Sequence, residues 1–142
     1  MKQPPIIVSA CLAGMFCRYN GEVGGDPRIE EMVRRAEAVP YCPEVMGGLP
    51  TPRPPCEIRD GRVVGDDGVD RTAEYERGAA EGLRLARLYG CREAVLKARS
   101  PSCGSGTVYD GTFTSTRIPG DGVFARLLKD GGIAVRTEEE LG

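Results

Sequence analysis

Three short apolar runs in this chain each lead to a cysteine. Ile6-Ile-Val-Ser-Ala-Cys11 and Val39-Pro-Tyr-Cys42 end on one directly, and Glu93-Ala-Val-Leu-Lys97 continues through Ala-Arg-Ser-Pro-Ser to Cys103. Runs this short, apolar on both sides and closed by Gly, Pro or Ser, predict strands buried on both faces of a parallel sheet. Helix signals fill the gaps. Asp26 is a good N-cap followed by Pro27 at the first helical position, and Ile29, Met32, Val33 and Ala36 form one apolar stripe. Asp70 or Thr72 opens a longer helix, with Tyr75, Ala79, Leu83 and Ala86 along one face, which Gly90 stops near Tyr89. Asp121 is expected to cap a third helix carrying Val123, Phe124, Leu127 and Leu128 and ended by Asp130-Gly-Gly132. Ile133–Val135 reads as a last strand, and Thr137–Glu140 as the start of a frayed terminal helix.

Residues 43–70 are expected to be irregular, because the prolines between Pro43 and Pro55 lack the amide donor of a regular helix or central strand. Within them, Asp60-Gly61 between β-prone residues signals a hairpin. Tyr109-Asp-Gly-Thr-Phe113 reads as another turn. The element order predicts an α/β fold: a three-layer α/β/α sandwich with a largely parallel, Rossmann-like sheet and a small β-hairpin insertion. A length of 142 residues fits a single domain spanning 1–142. Such sheets bind ligands outside the carboxyl ends of their strands. That is where Cys11, Cys42 and Cys103 fall.

Six cysteines and no histidine narrow the chemistry. No Ser-His or Cys-His dyad and no Cys/His zinc finger can be built. The net charge of −2, without a basic tract, gives no reason to expect nucleic acid as a partner. The apolar run near the N-terminus is too short for a signal-peptide core or a membrane span, so no membrane association is expected and the default is cytoplasmic. In a reducing cytosol the cysteines are ligands, catalytic groups or buried hydrophobes rather than disulfides. Cys11, Cys17, Cys42, Cys56, Cys91 and Cys103 contain no C-x2-C knuckle, so any shared site is assembled by the fold. Cys91, beside the apolar end of a helix, reads as a core hydrophobe, and Cys56 as a cysteine without a ligand role. Cys11, Cys42 and Cys103 read as functional, and Cys17 stands between the two readings. Three or four thiolates without histidine favour a soft metal centre, either zinc or an iron–sulfur cluster. Four would saturate a cubane, whereas three leave one iron open to a substrate atom. Glu44, Ser100 and Ser102 lie close enough in sequence to these thiols to supply proton transfer or hydrogen bonds. The competing readings are a solvated loop carboxylate and ordinary turn chemistry.

A set of motifs resembles a known family. Val8-Ser-Ala-Cys-Leu-Ala-Gly14 with Cys17-Arg-Tyr-Asn-Gly21, then Cys42-Pro-Glu-Val-Met-Gly-Gly-Leu-Pro-Thr-Pro-Arg53, then Ser100-Pro-Ser-Cys-Gly104 with Tyr109-Asp-Gly-Thr-Phe113, are similar in order and kind to those of the thiouracil desulfidases, formerly a domain of unknown function. The resemblance covers nearly the whole chain. It implies a [4Fe-4S] enzyme with three cysteine ligands and one iron not bonded to protein, which removes sulfur from a thiolated pyrimidine as sulfide without net redox change. It implies Cys11, Cys42 and Cys103 as ligands, with Cys17 the rival for one place, Glu44 as catalytic carboxylate, and a serine of Ser100-Pro-Ser102 as its partner. An open-iron cubane is fragile to oxygen, so protein purified in air can lack it. Two other readings compete with the desulfidase: a non-catalytic zinc or iron–sulfur module, and a cluster-dependent enzyme that transfers sulfur to RNA. The sequence gives no oligomeric state.

Overall fold

A computed structural model describes residues 3–141. Met1, Lys2 and Gly142, which bound the expected single domain, lie outside the described residues. Four parallel strands form the central sheet: β1 (Ile6–Ser9), β2 (Ala38–Tyr41), β5 (Glu93–Leu96) and β8 (Ala134–Thr137). Their order across the sheet is β2-β1-β5-β8. β1 pairs with β2 in the register Ile7↔Val39 and with β5 in the register Ile7↔Ala94. Alternation along β1 and β5 decides which layer each side chain joins. Ile7, Ala94 and Leu96 face one side, with Ala79 and Ala86 of α3 (Thr72–Tyr89) and Phe124, Ala125 and Leu128 of α4 (Val123–Asp130). Val8 and Val95 face the other, with Ile29 of α1 (Pro27–Arg34). The predicted three layers are therefore present. Among the described residues no helix is long and apolar enough to cross a membrane.

The predicted caps divide into those the fold uses and those it does not. Asp26 accepts from the Arg28 amide at 2.9 Å and starts α1 as expected. The stripe stops early, because Ala36 has φ +59° and lies beyond the helix. Asp70 accepts from the Thr72 amide at 2.9 Å at the start of α3, and Gly90 ends that helix at φ +71°. Asp121 does not cap α4. The first amides of that helix are taken instead by main-chain carbonyls of the cysteine loop, Val123 N to Pro101 O at 2.9 Å and Phe124 N to Ser102 O at 2.8 Å. Asp121 turns away to accept from Gly106 N and Lys129 Nζ, both at 2.8 Å. At the C-terminus the expected frayed helix is a 3-10 turn over Glu138–Glu140, boxed by Thr137 and Glu140.

Two departures lie in the connections. The proline-rich segment is not wholly irregular, since Pro43–Met46 forms a one-turn helix, α2. Pro43 occupies its first position, where a missing amide donor costs nothing. The Asp60-Gly61 hairpin forms as predicted between β3 (Cys56–Arg59) and β4 (Arg62–Gly65), with φ +51° and +76° at the turn. A second hairpin, β6 (Thr107–Tyr109) and β7 (Arg117–Pro119), encloses the predicted turn at 109–113. Each of its strands is three residues, too short to show alternation in sequence.

Candidate active site

Each sheet strand that leads to a cysteine ends at the same edge, and the cysteines follow directly. Cys11 lies in a 3-10 turn (Ala10–Ala13) immediately after β1. Cys42 follows β2 and is the N-cap of α2, its carbonyl accepting from the Met46 amide at 3.0 Å. Cys103 lies in the loop after β5 that caps α4. All three thiols line one cavity of about 550 Å³, together with Cys17, Glu44, Ser100 and Ser102. The predicted site residues are therefore brought together. Cys56 lines the same cavity, whereas Cys91 is packed in the core beneath α3 and α4, as a hydrophobe would be.

Glu44 is buried and fully engaged. Its Oε1 accepts from Arg53 Nε and from the Tyr75 hydroxyl, both at 3.0 Å, and its Oε2 from the Ser102 hydroxyl at 2.6 Å. Because Ser102 spends its proton on Glu44, the 2.9 Å contact between the two serine hydroxyls has Ser100 as donor. Ser100 Oγ in turn accepts from the amides of Ser102 (3.1 Å) and Cys103 (2.9 Å), which sets the loop's shape. A proton path runs Ser100 to Ser102 to Glu44. The solvated-loop reading of Glu44 does not describe this arrangement.

Arg53 and Tyr75 complete the site, and sequence reasoning gave neither a role. Arg53 closes the Cys42–Arg53 motif, and its side chain is 3% exposed. Besides Glu44 it donates to the carbonyls of Pro50 (2.9 Å) and Cys17 (2.6 Å). One guanidinium thus ties the loop bearing Cys17 to the helix bearing Glu44. Tyr75 was legible only as a core position on α3. Close helix packing brings it to Glu44: a Cβ on Gly78 would overlap the Pro43 carbonyl oxygen, so α2 can rest on α3 only where that side chain is missing.

The thiols differ in their surroundings. Hydrogen bonding from the Cys17 thiol holds Cys11 below the usual thiol range, helped by the Arg18 guanidinium and opposed by burial. The same thiol, with the Val45 amide and the Arg53 charge, brings Cys42 down to about 7 against burial. Cys17, set beside both of these sulfurs, is pushed far up. Burial raises Cys103, against hydrogen bonds with Ser9 and Ser102.

The donor set fits a thiolate-held cluster. Cys11, Cys42 and Cys103 offer soft sulfur donors from three separate elements around one space. Among the described residues no three His, Cys, Asp or Glu side chains converge as a ready single-ion site. Beside Cys11, Arg18 Nε is buried with no hydrogen-bond partner, the one such side-chain atom among the described residues. A half-buried cation with one buried, spare N–H suits a negatively charged group held by thiolates, whose sulfurs accept such bonds.

Comparison with known proteins agrees with this geometry. An uncharacterised protein of Bacillus subtilis (strain 168), YbbK, is 43% identical over 146 residues, covering 96% of this chain and 97% of its own. A solved structure described as the [4Fe-4S]-dependent thiouracil desulfidase TudS superposes with a TM-score of 0.93 at 45% identity, covering 98% of this chain and 93% of that one. The family model described as 2-thiouracil desulfurase matches residues 6–140. On that match, which takes in every residue of the cavity, the chain belongs to the 2-thiouracil desulfurase family.

Proposed function

We propose that this protein is a cytoplasmic, iron–sulfur-dependent desulfidase that converts a thiolated pyrimidine such as 2-thiouracil to its oxo form. The balance is C=S plus water giving C=O plus hydrogen sulfide, with no electrons gained or lost. Cys11, Cys42 and Cys103 would hold the [4Fe-4S] cluster through their three thiolates. When bound, the iron without a protein ligand supplies a soft Lewis acid for sulfur. Everything else is done by the chain. Glu44, kept as an acceptor by Arg53 and Tyr75, takes a proton from the water that attacks the C=S carbon. The Ser100 and Ser102 hydroxyls extend that acceptor towards the cavity and relay the proton inward to Glu44. Burial of this network excludes bulk water from the attacked carbon.

One observation carries the reading. The thiols that follow three sheet strands line the same cavity as a buried Glu–Ser pair separated by 2.6 Å. The known activity of the TudS structure, as its description gives it, supports the substrate class. Anaerobic reconstitution with iron and sulfide tests the proposal. A brown protein with about four irons per chain that releases sulfide from 2-thiouracil, one per uracil formed, is the expected result. A loaded protein that leaves 2-thiouracil intact, or one that needs an added reductant at every turnover, contradicts it.

A further inference from the structure

The cavity has an aromatic side that the chemistry above does not use. Of the chain's eight aromatic residues, five Tyr and three Phe, five line it: Tyr19, Tyr41, Tyr75, Tyr109 and Phe113. Tyr41 and Tyr75 are buried, with their hydroxyls spent on Gly78 O and Glu44. Tyr109 and Phe113 come from the β6–β7 hairpin, and Phe113 lies on its loop, residues 110–116. That loop is strained: Phe113 and Ser115 have φ of +59° and +60°. Neither residue type adopts the left-handed region without surroundings that enforce it.

The surroundings come from β3. Glu57 Oε1 accepts from the amides of Gly111 (2.9 Å) and Phe113 (3.2 Å). Arg59 donates to the Gly111 carbonyl through Nε (3.0 Å) and Nη2 (2.6 Å). Its guanidinium carbon also stands 5.9 Å from the centre of the Phe113 ring. Arg59 is not among the cavity's lining residues, whereas Phe113 is. The cation therefore packs on Phe113 without itself lining the cavity that the ring borders.

We propose that Phe113 is the stacking surface for the planar ring of the substrate, and thus a specificity-determining residue, with Glu57 and Arg59 as positioning residues that hold its loop in the strained form. This rests on reading the cavity as a base-binding site. A flat heteroaromatic ring gains from a pre-formed aromatic face because no loop has to be ordered when it binds.

Uracil is the probe, because it offers the same ring without a sulfur to remove. Its dissociation constant is measured by calorimetry on the reconstituted protein, alongside kcat and KM for 2-thiouracil. Phe113→Leu keeps apolar bulk and loses the ring; it is expected to weaken uracil binding and raise KM by about tenfold, with a much smaller change in kcat. Phe113→Tyr retains both values. Arg59→Met, which frees the loop, weakens uracil binding without touching the cavity, and answers the question should Phe113→Leu fail to fold. Tyr89→Ala, an exposed aromatic at the end of α3, changes nothing. Uracil binding that is unmoved in both Phe113→Leu and Arg59→Met overturns the stacking role. A parent protein that binds uracil through Phe113 but leaves 2-thiouracil intact overturns the desulfidase reading alone. Turnover with a KM indifferent to Phe113 overturns the stacking role alone.

Discussion

At the scale of single residues, Glu44 concentrates the argument. It carries a charge in a buried position, and that is tolerable only because Arg53 and two hydroxyls meet both of its oxygens. Glu44→Gln keeps the shape and loses the proton acceptor. It is expected to lower kcat by roughly 10²–10⁴-fold while iron content stays at the parent level, read by sulfide release and iron assay on the same sample. Loss of iron in that variant would make Glu44 a scaffold for the cluster rather than a base. Arg53→Leu should act differently, because it leaves a carboxylate buried without its cation. A destabilisation of about 3–5 kcal/mol in urea unfolding is expected. Cys11, Cys42 and Cys103 could be singled out in sequence because an apolar run leads to each, directly for the first two and through a Ser-Pro-Ser loop for Cys103. Arg53 and Tyr75 could not, since their bonds to Glu44 span 9 and 31 residues and depend on how α2 lies against α3. No spacing rule encodes that.

At the scale of elements, the pieces most readable in sequence are those whose stability is local. Asp26-Pro27 and Gly90 mark helix ends through their own backbone preferences, and Asp60-Gly61 marks a hairpin in the same way. Asp121 looks equally good as a cap and is not one. The cysteine loop supplies the carbonyls for α4, and only the fold brings them there. α2 was hidden for a related reason, because a proline that forbids a helix interior is welcome at a first position. Its contact with α3 gives a test. Gly78→Ala puts a methyl group into the Pro43 carbonyl and should lower both the melting temperature and cluster uptake, as measured by calorimetry and iron assay. A variant that keeps both would show that this contact does not position the site. The β4–α3 connection has its own signature in acid. Arg71 holds Asp67 down at about 2, and Arg62 with the Thr72 amide holds Asp70 lower still. Both carboxyls are depressed, so their contribution is complete above the ordinary Asp range near 4 and is lost as pH falls towards 2. The melting temperature should drop over that interval, and Asp67→Asn should flatten part of the drop.

At the scale of the whole molecule, the sheet order β2-β1-β5-β8 explains why one cavity collects chemistry from so many places. The connection after β1 runs to one side, to β2, and the connection after its neighbour β5 runs to the other, to β8. The loops after these strands therefore part at the carboxyl edge and open a crevice. That crevice receives Cys11, Cys42 and Cys103 from the loops that follow the sheet strands, Glu44 from α2, and two of its five aromatic residues, Tyr109 and Phe113, from the β6–β7 hairpin. Short runs apolar on both sides made the sheet predictable, and the strand-end rule then predicted the crevice. The hairpin that walls it was read only as a turn. The central claim is that three thiolates, and not Cys17, hold the cluster. Its most direct test is the iron and sulfide content of Cys11→Ala, Cys17→Ala, Cys42→Ala and Cys103→Ala after identical anaerobic reconstitution. Loss of the cluster in the first, third and fourth, with most of it kept in Cys17→Ala, is the predicted result. A Cys17→Ala protein that is bleached while Cys42→Ala stays brown would contradict it.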